Sequence, residues 1–245
     1  MLPILQVGPL SLQSSGLVLL IGMWLGLSLS ERYAKSFGSD PEEISNLAFY
    51  SLMAAILGAR LSYALRFPSA FSDSPASLVS LNPGLLDPWG AVAGAILVAL
   101  IYGQRKGLSL GSSLDALTPA FATLAVAAAL SNLASGQGYG LPADLPWSID
   151  LWGASRHPSQ IYEGAASLAI VFWLLGQRAK ISRAAGTFFV DFLALSAGSR
   201  LFFEAFRGDG VLLPNGWRVA QLLAWLVLAA SLYFLQQLNK NAESG

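Results

Sequence analysis

Three charged side chains near the end of one apolar segment are the residues best suited to do chemistry. Arg200, Glu204 and Arg207 follow one another at i, i+4 and i+7, so on an α-helix they would share one face. Arginine forms planar, bidentate contacts to phosphate oxygens, and a nearby carboxylate holds a guanidinium in place. The spacing therefore predicts a phosphate clamp in which Glu204 orients Arg200. The alternative is an ion pair within the helix whose long side chains reach toward water.

The only histidine lies in a second polar run, Arg-His-Pro-Ser-Gln-Ile-Tyr-Glu, from Arg156 to Glu163. A proline in the first helical turn and an acid near the helix N-terminus are ordinary capping features. Capping does not explain Arg156, Gln160 and Tyr162 together, and a helix N-terminus also binds anions. We therefore take Arg156, Gln160, Tyr162 and Glu163 as candidate substrate-binding residues. His157 is a candidate catalytic residue, although a lone histidine is more often structural.

Two further groups of polar residues interrupt apolar segments. Asn132 and Gln137 lie in the run Asn-Leu-Ala-Ser-Gly-Gln-Gly-Tyr-Gly, which ends at Gly140 and whose glycines let backbone amides approach a ligand. The alternative is a helix C-cap and a turn. Arg60 is a lone charge whose small neighbours favour an inward position, while snorkelling to the membrane surface is equally compatible with the sequence. These four residues complete the candidate binding set, and Asp191 has no functional interpretation.

The composition indicates that membrane-spanning helices must position these side chains. Hydrophobic residues make up 54% of the 245 residues and charged residues only 11%, whereas a soluble domain carries about 25% charged residues. The net charge of zero gives no indication of a nucleic-acid partner. The lack of cysteine excludes disulfides, thiolate metal sites and a cysteine nucleophile within this chain. A single histidine and no acidic cluster argue against a metal site, and the N-terminus has no basic region typical of a removable signal peptide.

Seven apolar segments approach the length of about 20 residues that crosses a bilayer. Lysine and arginine favour the connections after the first, third, fifth and seventh segments by eight to four, which predicts an outer N-terminus and a cytoplasmic C-terminus. We therefore predict an all-α polytopic protein with one integral-membrane domain, residues 1–245, and an outer loop at about 135–159. The segments are roughly 15–30, 46–65, 88–103, 115–134, 160–176, 185–206 and 217–238.

This topology collects the polar residues on one side of the membrane. Arg60, Asn132, the outer loop and the Arg200–Arg207 run all fall toward outer helix ends. Because charges in a bilayer are costly unless they pair or bind something, their convergence predicts a site for an anionic group at headgroup depth. Tryptophans near the segment ends are expected to be interfacial anchors, namely Trp89, Trp147, Trp152 and Trp217.

The outer-face segments together resemble the prolipoprotein diacylglyceryl transferases of bacterial inner membranes. That family's outer loop reads Gly-Arg-Pro-Thr-Asp-Leu-Pro-Trp and then Arg-His-Pro-Ser-Gln-Leu-Tyr-Glu, and the counterparts here are residues 140–147 and 156–163. Its sixth helix ends Arg-Phe-x-x-Glu-Phe-x-Arg, which matches residues 200–207, and its Gly-Ala-Arg-Leu motif matches residues 58–61. The resemblance runs from about residue 45 to 210 in the same order.

The resemblance implies transfer of the diacylglyceryl group of phosphatidylglycerol to the lipobox cysteine thiol of prolipoproteins, with glycerol phosphate leaving. It implies no cofactor or metal, and it names phosphatidylglycerol, the prolipoprotein signal peptide and membrane lipids as partners, at the bacterial inner membrane. Arg200 and Arg207 would bind the phosphate, with Arg60 and Asn132 assisting. Glu204 would orient Arg200, and His157 or Glu163 would accept a proton.

The chain departs from the family signature of the fourth helix, Gly-Arg-x-Gly-Asn-Phe-x-Asn-Gly-Glu-x-x-Gly-Arg. On the alignment that keeps Asn132, the two arginines become Ala129 and Leu141, and the glutamate becomes Gln137. Trp89 stands where the family has His or Tyr on the third helix. These departures favour an alternative in which a catalytically degenerate relative acts as a phospholipid-binding or structural membrane subunit. A third hypothesis is a related transferase with a different acceptor or headgroup.

Overall fold

Long helices coincide with all seven predicted apolar segments in the computed structural model, which describes residues 4–7, 10–69, 86–177 and 184–243. Four of these helices, α1, α2, α4 and α7, are long and apolar enough to cross a membrane. The chain is therefore a mostly helical, multi-pass membrane protein. The helices are α1 (Ser14–Ala34), α2 (Pro41–Arg66), α3 (Pro88–Lys106), α4 (Leu110–Ser135), α5 (Ser159–Gln177), α6 (Thr187–Phe203) and α7 (Val219–Glu243).

Two short antiparallel hairpins, which the all-α prediction did not include, accompany the helices. The first joins β1 (Ile4–Val7) to β2 (Leu10–Gln13), and the second joins β3 (Ile149–Leu151) to β4 (Ala154–Arg156) within the predicted outer loop. The second hairpin turns through Trp152 and Gly153, which both have positive φ, of 56° and 75°. Positive φ at both turn residues is typical of two-residue hairpin turns. Trp-Gly is a weaker turn signal than Asn-Gly, so the sequence alone did not reveal it.

The chain forms two compact units, which are described separately: Met1–Gly38 with Gly111–Gly245, and Ser39–Leu110. In the first unit, α1 packs closely on α4 through small residues, because a side chain at Gly22 or Gly26 would collide with Ala127 or Ala120. Pro119 lies inside α4, where its missing N–H disturbs the helical ladder. The following amide, of Ala120, donates to Ser30 Oγ of α1 at 3.1 Å. This bond satisfies a polar group that lipid could not.

Helix α6, which carries Arg200, is fixed at its start by an acid from another helix. Gly186, the N-cap residue of α6, has φ of 95° and no side chain that can cap. The buried carboxylate of Asp115 in α4 instead accepts hydrogen bonds from the amides of Gly186 at 2.7 Å and Phe189 at 2.8 Å. Carboxylates are the preferred partners of unpaired amides at a helix N-terminus. Below this cap an apolar cluster joins α4, α5 and α6 through Ala122, Leu174 and Phe192.

The end of α6 differs from the sequence prediction. The α-helix ends at Phe203, a 3₁₀ turn covers Glu204–Phe206, and Arg207 has extended backbone angles. The predicted stripe from Arg200 to Arg207 on one α-helical face is therefore wrong in its backbone geometry. The three charges nevertheless stay together, because the tighter turn brings Arg207 Nε to 3.8 Å from Glu204 Oε2.

The second unit is a pair of helices, α2 and α3, in close contact. A side chain at Gly58, Gly90 or Gly94 would collide with the backbone of the facing helix, so only small residues permit this approach. Asp87 caps α3 by accepting from the amide of Trp89 at 2.9 Å and from Ser62 Oγ of α2 at 2.9 Å. The hydrogen bond from the Trp89 amide, and to a smaller extent that from Ser62, hold the pKa of Asp87 below its ordinary value.

Candidate functional site

A glutamate placed between two arginines is the centre of the site. Glu163, in the first turns of α5, accepts from Arg200 Nη1 at 3.1 Å and from Arg207 Nη1 at 3.0 Å through the same oxygen, Oε1. Its second oxygen lies 3.3 Å from Arg207 Nη1. The predicted polar run at the start of α5 and the predicted clamp at the end of α6 therefore meet, as the convergence argument required. Hydrogen bonds between charged partners are the stronger kind in proteins.

Glu204 supplies a second carboxylate, and its side chain is 1% exposed. Its Oε2 lies 2.8 Å from Arg200 Nη2, and its role of orienting Arg200 stays a prediction. Its Oε1 lies 4.0 Å from Nη1 of Arg218, at the start of α7, and that nitrogen donates to the carbonyl oxygen of Arg207 at 2.9 Å. A buried charge needs such partners, because removing water from an uncompensated carboxylate costs several kcal/mol.

Arg207 is the most completely engaged guanidinium of the group. Its Nε and Nη2 form a two-pronged contact with the carboxylate of Asp209 at 2.9 and 3.0 Å, while Nη1 contacts Glu163. Its side chain is 11% exposed, against 37% for Arg200. Burial opposes the charge, but the pKa of Arg207 is held above its ordinary value by Glu163, Asp209 and Glu204. Arg200 is therefore the guanidinium with an open edge.

The charges of this network cancel among the described residues. Three arginines and three acids share it through ion pairs of 4.0 Å or less, and they are Arg200, Arg207, Arg218, Glu163, Glu204 and Asp209. Such mutual compensation explains how six ionic side chains can lie at the ends of apolar helices.

The glycine run after α4 lies against the face of Arg207. Gly138 has φ of 64°, and a Cβ there would lie 3.3 Å from both terminal nitrogens of Arg207 and 3.3 Å from Asn132 Nδ2. Its amide donates to Asp209 Oδ2 at 2.9 Å, and its carbonyl accepts from Ser159 Oγ at 2.6 Å. A residue with positive φ and no side chain is therefore needed at this position. The glycine run thus lies close to the guanidinium of Arg207, and the predicted approach of its amides to a ligand stays a prediction.

Backbone pairing joins the loop between α4 and α5 to the end of α6. The amide of Leu141 donates to the carbonyl of Phe206 at 2.8 Å, and the amide of Gly208 donates to the carbonyl of Tyr139 at 2.8 Å. Gly140, between them, has no room for a side chain, since a Cβ would lie 2.6 Å from the Cβ of His157. Gln160, buried at the start of α5, donates to the carbonyl of Gln137 at 2.9 Å. These contacts fix the loop relative to the arginines.

Arg156 and His157 have different surroundings from the central arginines. Arg156 donates to the carbonyls of Leu151 at 2.9 Å and Gly140 at 3.2 Å, and its guanidinium stacks 4.9 Å from the ring centroid of Tyr139. These contacts brace the β3–β4 hairpin. The predicted substrate-binding role of Arg156 remains untested.

The imidazole of His157 belongs to an aromatic cluster at the end of α6. Its ring centroid is 5.2 Å from that of Phe206, and Nδ1 is 3.4 Å from the hydroxyl of Tyr162. That hydroxyl accepts from Trp147 Nε1 at 2.8 Å.

The predicted interfacial anchors are all more than half exposed, namely Trp89, Trp147, Trp152 and Trp217.

A cleft of about 320 Å³ opens beside Arg200 and Glu163, between α4, α5 and α6. Asn132 lines it together with three hydroxyl side chains, Ser167, Ser196 and Ser199. Ala129 also lines this cleft, at a position where the signature of the family that this chain resembles has an arginine. The chain thus keeps one exposed guanidinium edge and an amide at this cleft, with small side chains around them.

A wider cleft, of about 830 Å³, lies between α6 and α7. Arg218 and Gln221 line it with apolar residues, among them Leu201, Trp217 and Trp225. Its lining therefore combines one cation with apolar and aromatic surface.

The structure brings together most, but not all, of the predicted site residues. Arg200, Glu204, Arg207 and Glu163 form one network, and Asn132 shares the cleft with two of them. Gln137, Gly140, Arg156 and Gln160 form the adjoining backbone frame, and His157 and Tyr162 lie in the aromatic cluster. Arg60 lies in α2 of the second unit, and its predicted role stays a prediction.

Sequence reasoning missed three residues that the site uses. Asp209 follows Arg207 in Arg-Gly-Asp-Gly, where flanking glycines permit a tight turn back toward the arginine. Arg218 directly precedes α7, and Asp115 was overlooked as an isolated polar residue inside an apolar helix. An unexplained intramembrane acid is a usable signal, because such an acid needs a partner.

Comparison with known proteins identifies the family of this chain. The sequence profile described as prolipoprotein diacylglyceryl transferase matches residues 3–236. The phosphatidylglycerol–prolipoprotein diacylglyceryl transferase of Synechococcus elongatus is 26% identical over 241 residues, covering 92% of this chain and 83% of the relative. The protein of the same name from Bordetella parapertussis is 31% identical over 211 residues, covering 83% and 80%. That from Aromatoleum aromaticum is 29% identical over 197 residues, covering 76% and 75%. The chain therefore belongs to the prolipoprotein diacylglyceryl transferase family.

Proposed function

We propose that this chain transfers the diacylglyceryl group of phosphatidylglycerol to the lipobox cysteine thiol of prolipoproteins. The observation that carries the proposal is the open edge of Arg200 at a cleft that Asn132 and Glu163 also line. A guanidinium held by two carboxylates is pre-organised to receive a phosphate, because its orientation is fixed before the ligand arrives. Family membership supplies the reaction class, and the relatives' names supply the donor and the acceptor.

The reaction forms a carbon–sulfur bond and breaks a carbon–oxygen bond. The cysteine sulfur attacks the carbon of the diacylglyceryl group that is bonded to phosphate oxygen. The electrons of the broken carbon–oxygen bond leave with glycerol phosphate. The thiol proton must go to a base, and we assign this role to His157. Both oxygens of Glu163 contact guanidinium groups, so Glu163 is better suited to positioning than to accepting a proton.

Arg200 would neutralise the charge that grows on the leaving phosphate, and Asn132 would donate a hydrogen bond beside it. The contacts of Arg207 favour holding Glu163 over direct phosphate binding. The cleft between α6 and α7, lined by Arg218 and two tryptophans, would admit lipid sideways from the bilayer. Arg60, Arg156 of β4, and Gln160 and Tyr162 of α5 remain proposed substrate-binding residues.

The placement in the cell follows from the same proposal. We infer seven membrane spans in the bacterial inner membrane, with the N-terminus outside and the C-terminus in the cytoplasm. The excess of lysine and arginine in alternate connections supports this orientation. The site would then face the outer leaflet, where the prolipoprotein signal peptide presents its cysteine.

The test is turnover by the purified full chain in phosphatidylglycerol proteoliposomes with a lipobox peptide. We expect a thioether-linked diacylglyceryl peptide by mass spectrometry and stoichiometric glycerol phosphate, with neither product from a Cys→Ser peptide. Arg200→Lys should lower kcat/KM by about a hundredfold, because lysine lacks the planar fork. Arg105→Lys, an exposed change at the end of α3, is the matched control and should have no effect.

One observation favours a second candidate function. Ala129 leaves the cleft without the first arginine of the family signature, which suits a protein that binds phospholipid without chemistry. Vesicle binding by the wild type without either product, in the presence of a working relative as positive control, would establish this alternative and overturn the transferase proposal.

A further inference from the structure

We propose that Asp209 is a positioning residue that acts on the reacting centre through Arg207. Asp209 holds the Nε and Nη2 edge of Arg207 with contacts of 2.9 and 3.0 Å. This planar fork is the arrangement in which arginine is most strongly held. The second oxygen of Asp209 also accepts the amide of Gly138 at 2.9 Å. One carboxylate thus fixes both the guanidinium and the loop that lies on its face.

The effect of Asp209 reaches Arg200 through two further contacts. With its Nε edge held, Arg207 can direct only Nη1 toward Glu163, at 3.0 Å from Oε1. The same oxygen accepts from Arg200 Nη1 at 3.1 Å. A rotation of the Arg207 guanidinium would therefore move Glu163 and, with it, the exposed edge of Arg200. Asp209 is absent from the residues that line the described cleft, which agrees with an indirect role.

A place-holder role for Asp209 makes the opposite kinetic prediction. If Asp209 occupied the Nε and Nη2 edge of Arg207 that the phosphate of the lipid later binds, removing the charge of Asp209 would free this edge and lower the KM for lipid. If Asp209 positions Arg207, removing its charge should lower kcat and leave KM for lipid nearly unchanged. Two observations favour the positioning role: the side chain of Arg207 is 11% exposed, and Asp209 accepts a hydrogen bond from the backbone amide of Gly138.

The experiment rests on the proposed function and uses the full chain in phosphatidylglycerol proteoliposomes. We expect Asp209→Asn to lower kcat by about ten- to a hundredfold, the loss that follows from one charge-assisted contact. Asp209→Glu, which keeps the charge, should recover part of this loss. Asp150→Asn, an exposed acid on β3, is the matched control and should behave like wild type. Unfolding midpoints measured by tryptophan fluorescence identify variants that are merely unstable.

A double-mutant cycle with Arg207→Lys separates positioning from general stability. If Asp209 acts through Arg207, Asp209→Asn should change kcat less than about twofold in the Arg207→Lys background. Equal, multiplicative losses in both backgrounds, an unchanged kcat, or a lowered KM would each overturn the inference. An inactive wild type would instead refute the proposed function. If Asp209→Asn fails to fold, the Asp209→Glu and Arg207→Lys pair supports the same cycle.

Discussion

Two clusters of acids and cations in this chain use the same residue types with different surroundings. At one end of the α2–α3 pair, Glu43 accepts from Tyr102 at 2.6 Å and from Lys106 at 2.8 Å, and the lysine side chain is 46% exposed. At the end of α6, Glu204 is 1% exposed and lies 2.8 Å from Arg200. The first cluster is a surface pair, while the second is a closed network that extends over three arginines.

The difference teaches how to recognise a functional charge. An exposed pair contributes little, because water competes for both partners and salt screens them. A buried carboxylate persists only where several cations compensate it, and that arrangement fixes their orientation. Glu163 contacts Nη1 of Arg200, Glu204 contacts Nη2, and Arg200 also lines a cleft. Burial, number of partners and an adjacent cleft therefore distinguish the site better than charge itself.

The largest expected effect is that of Glu204→Gln. This change removes the most buried carboxylate and leaves three arginines with two acids, so we expect a loss of about 3–5 kcal/mol in the free energy of unfolding. Activity should fall at least about a hundredfold because Arg200 loses its orientation. Tryptophan fluorescence and glycerol phosphate release measure the two quantities. Glu43→Gln is the matched change in the exposed cluster, and equal losses from both variants would remove the distinction.

Glu163→Gln should have the next largest effect. An amide offers one acceptor oxygen, and its NH₂ group would face a guanidinium, so at least one of the contacts from Arg200 and Arg207 is lost. We expect kcat to fall about ten- to a hundredfold with a smaller loss of stability than in Glu204→Gln. Steady-state kinetics with varied lipid measure the change. An unchanged kcat would show that Glu163 does not connect the two arginines functionally.

Gly138→Ala tests whether the loop must lie on the guanidinium. Positive φ at a residue with a side chain costs about 1 kcal/mol, and the added methyl would lie 3.3 Å from the nitrogens of Arg207. We expect a modest fall in the unfolding midpoint and roughly a tenfold loss of kcat. Gly153→Ala is the matched control, since Gly153 has φ of 75° but open space around it. If both variants lose stability equally and keep full activity, the close approach is irrelevant to chemistry.

Lys106→Met should have the smallest effect. It removes an exposed partner of Glu43 at 2.8 Å, and exposed pairs are mostly near neutral. We expect the unfolding midpoint to change by no more than about 2 °C and activity to be unaltered. Raising the salt concentration should abolish even this difference, because exposed pairs are screened. A large loss of stability would place this cluster in the same class as the network of α6.

The helices were predictable because hydropathy alone determines them. Segments of about 20 apolar residues have one stable form in lipid, where every backbone group must bond within its own helix. The convergence of the polar helix ends on one site also followed from sequence, through chain topology and the cost of isolated charges. The contact between Arg200 and Glu163 was not itself predicted. Of the seven described helices, four meet the length and composition expected of a membrane span.

The local geometry at chain reversals was not predictable. The change from α-helix to 3₁₀ turn at Glu204 and the hairpin through Trp152 depend on tertiary contacts, such as the bond from Trp152 Nε1 to the carbonyl of Gly136 at 2.9 Å. Asp209 was missed for the same reason, since only the fold determines which acid reaches Arg207. Which acid pairs with which arginine in this six-residue network depends on the distances between their side chains. Sequence spacing determines such distances only for residues of the same helix or strand.

The equality of three guanidinium groups and three carboxylates has a consequence for product release. Glycerol phosphate would leave as a dianion, and the described side chains around Arg200 offer it no excess of positive charge. We therefore expect the product to dissociate readily into the aqueous phase and to be a weak competitive inhibitor. A clamp that attracts the growing charge only at close range would thus favour repeated turnover over retention.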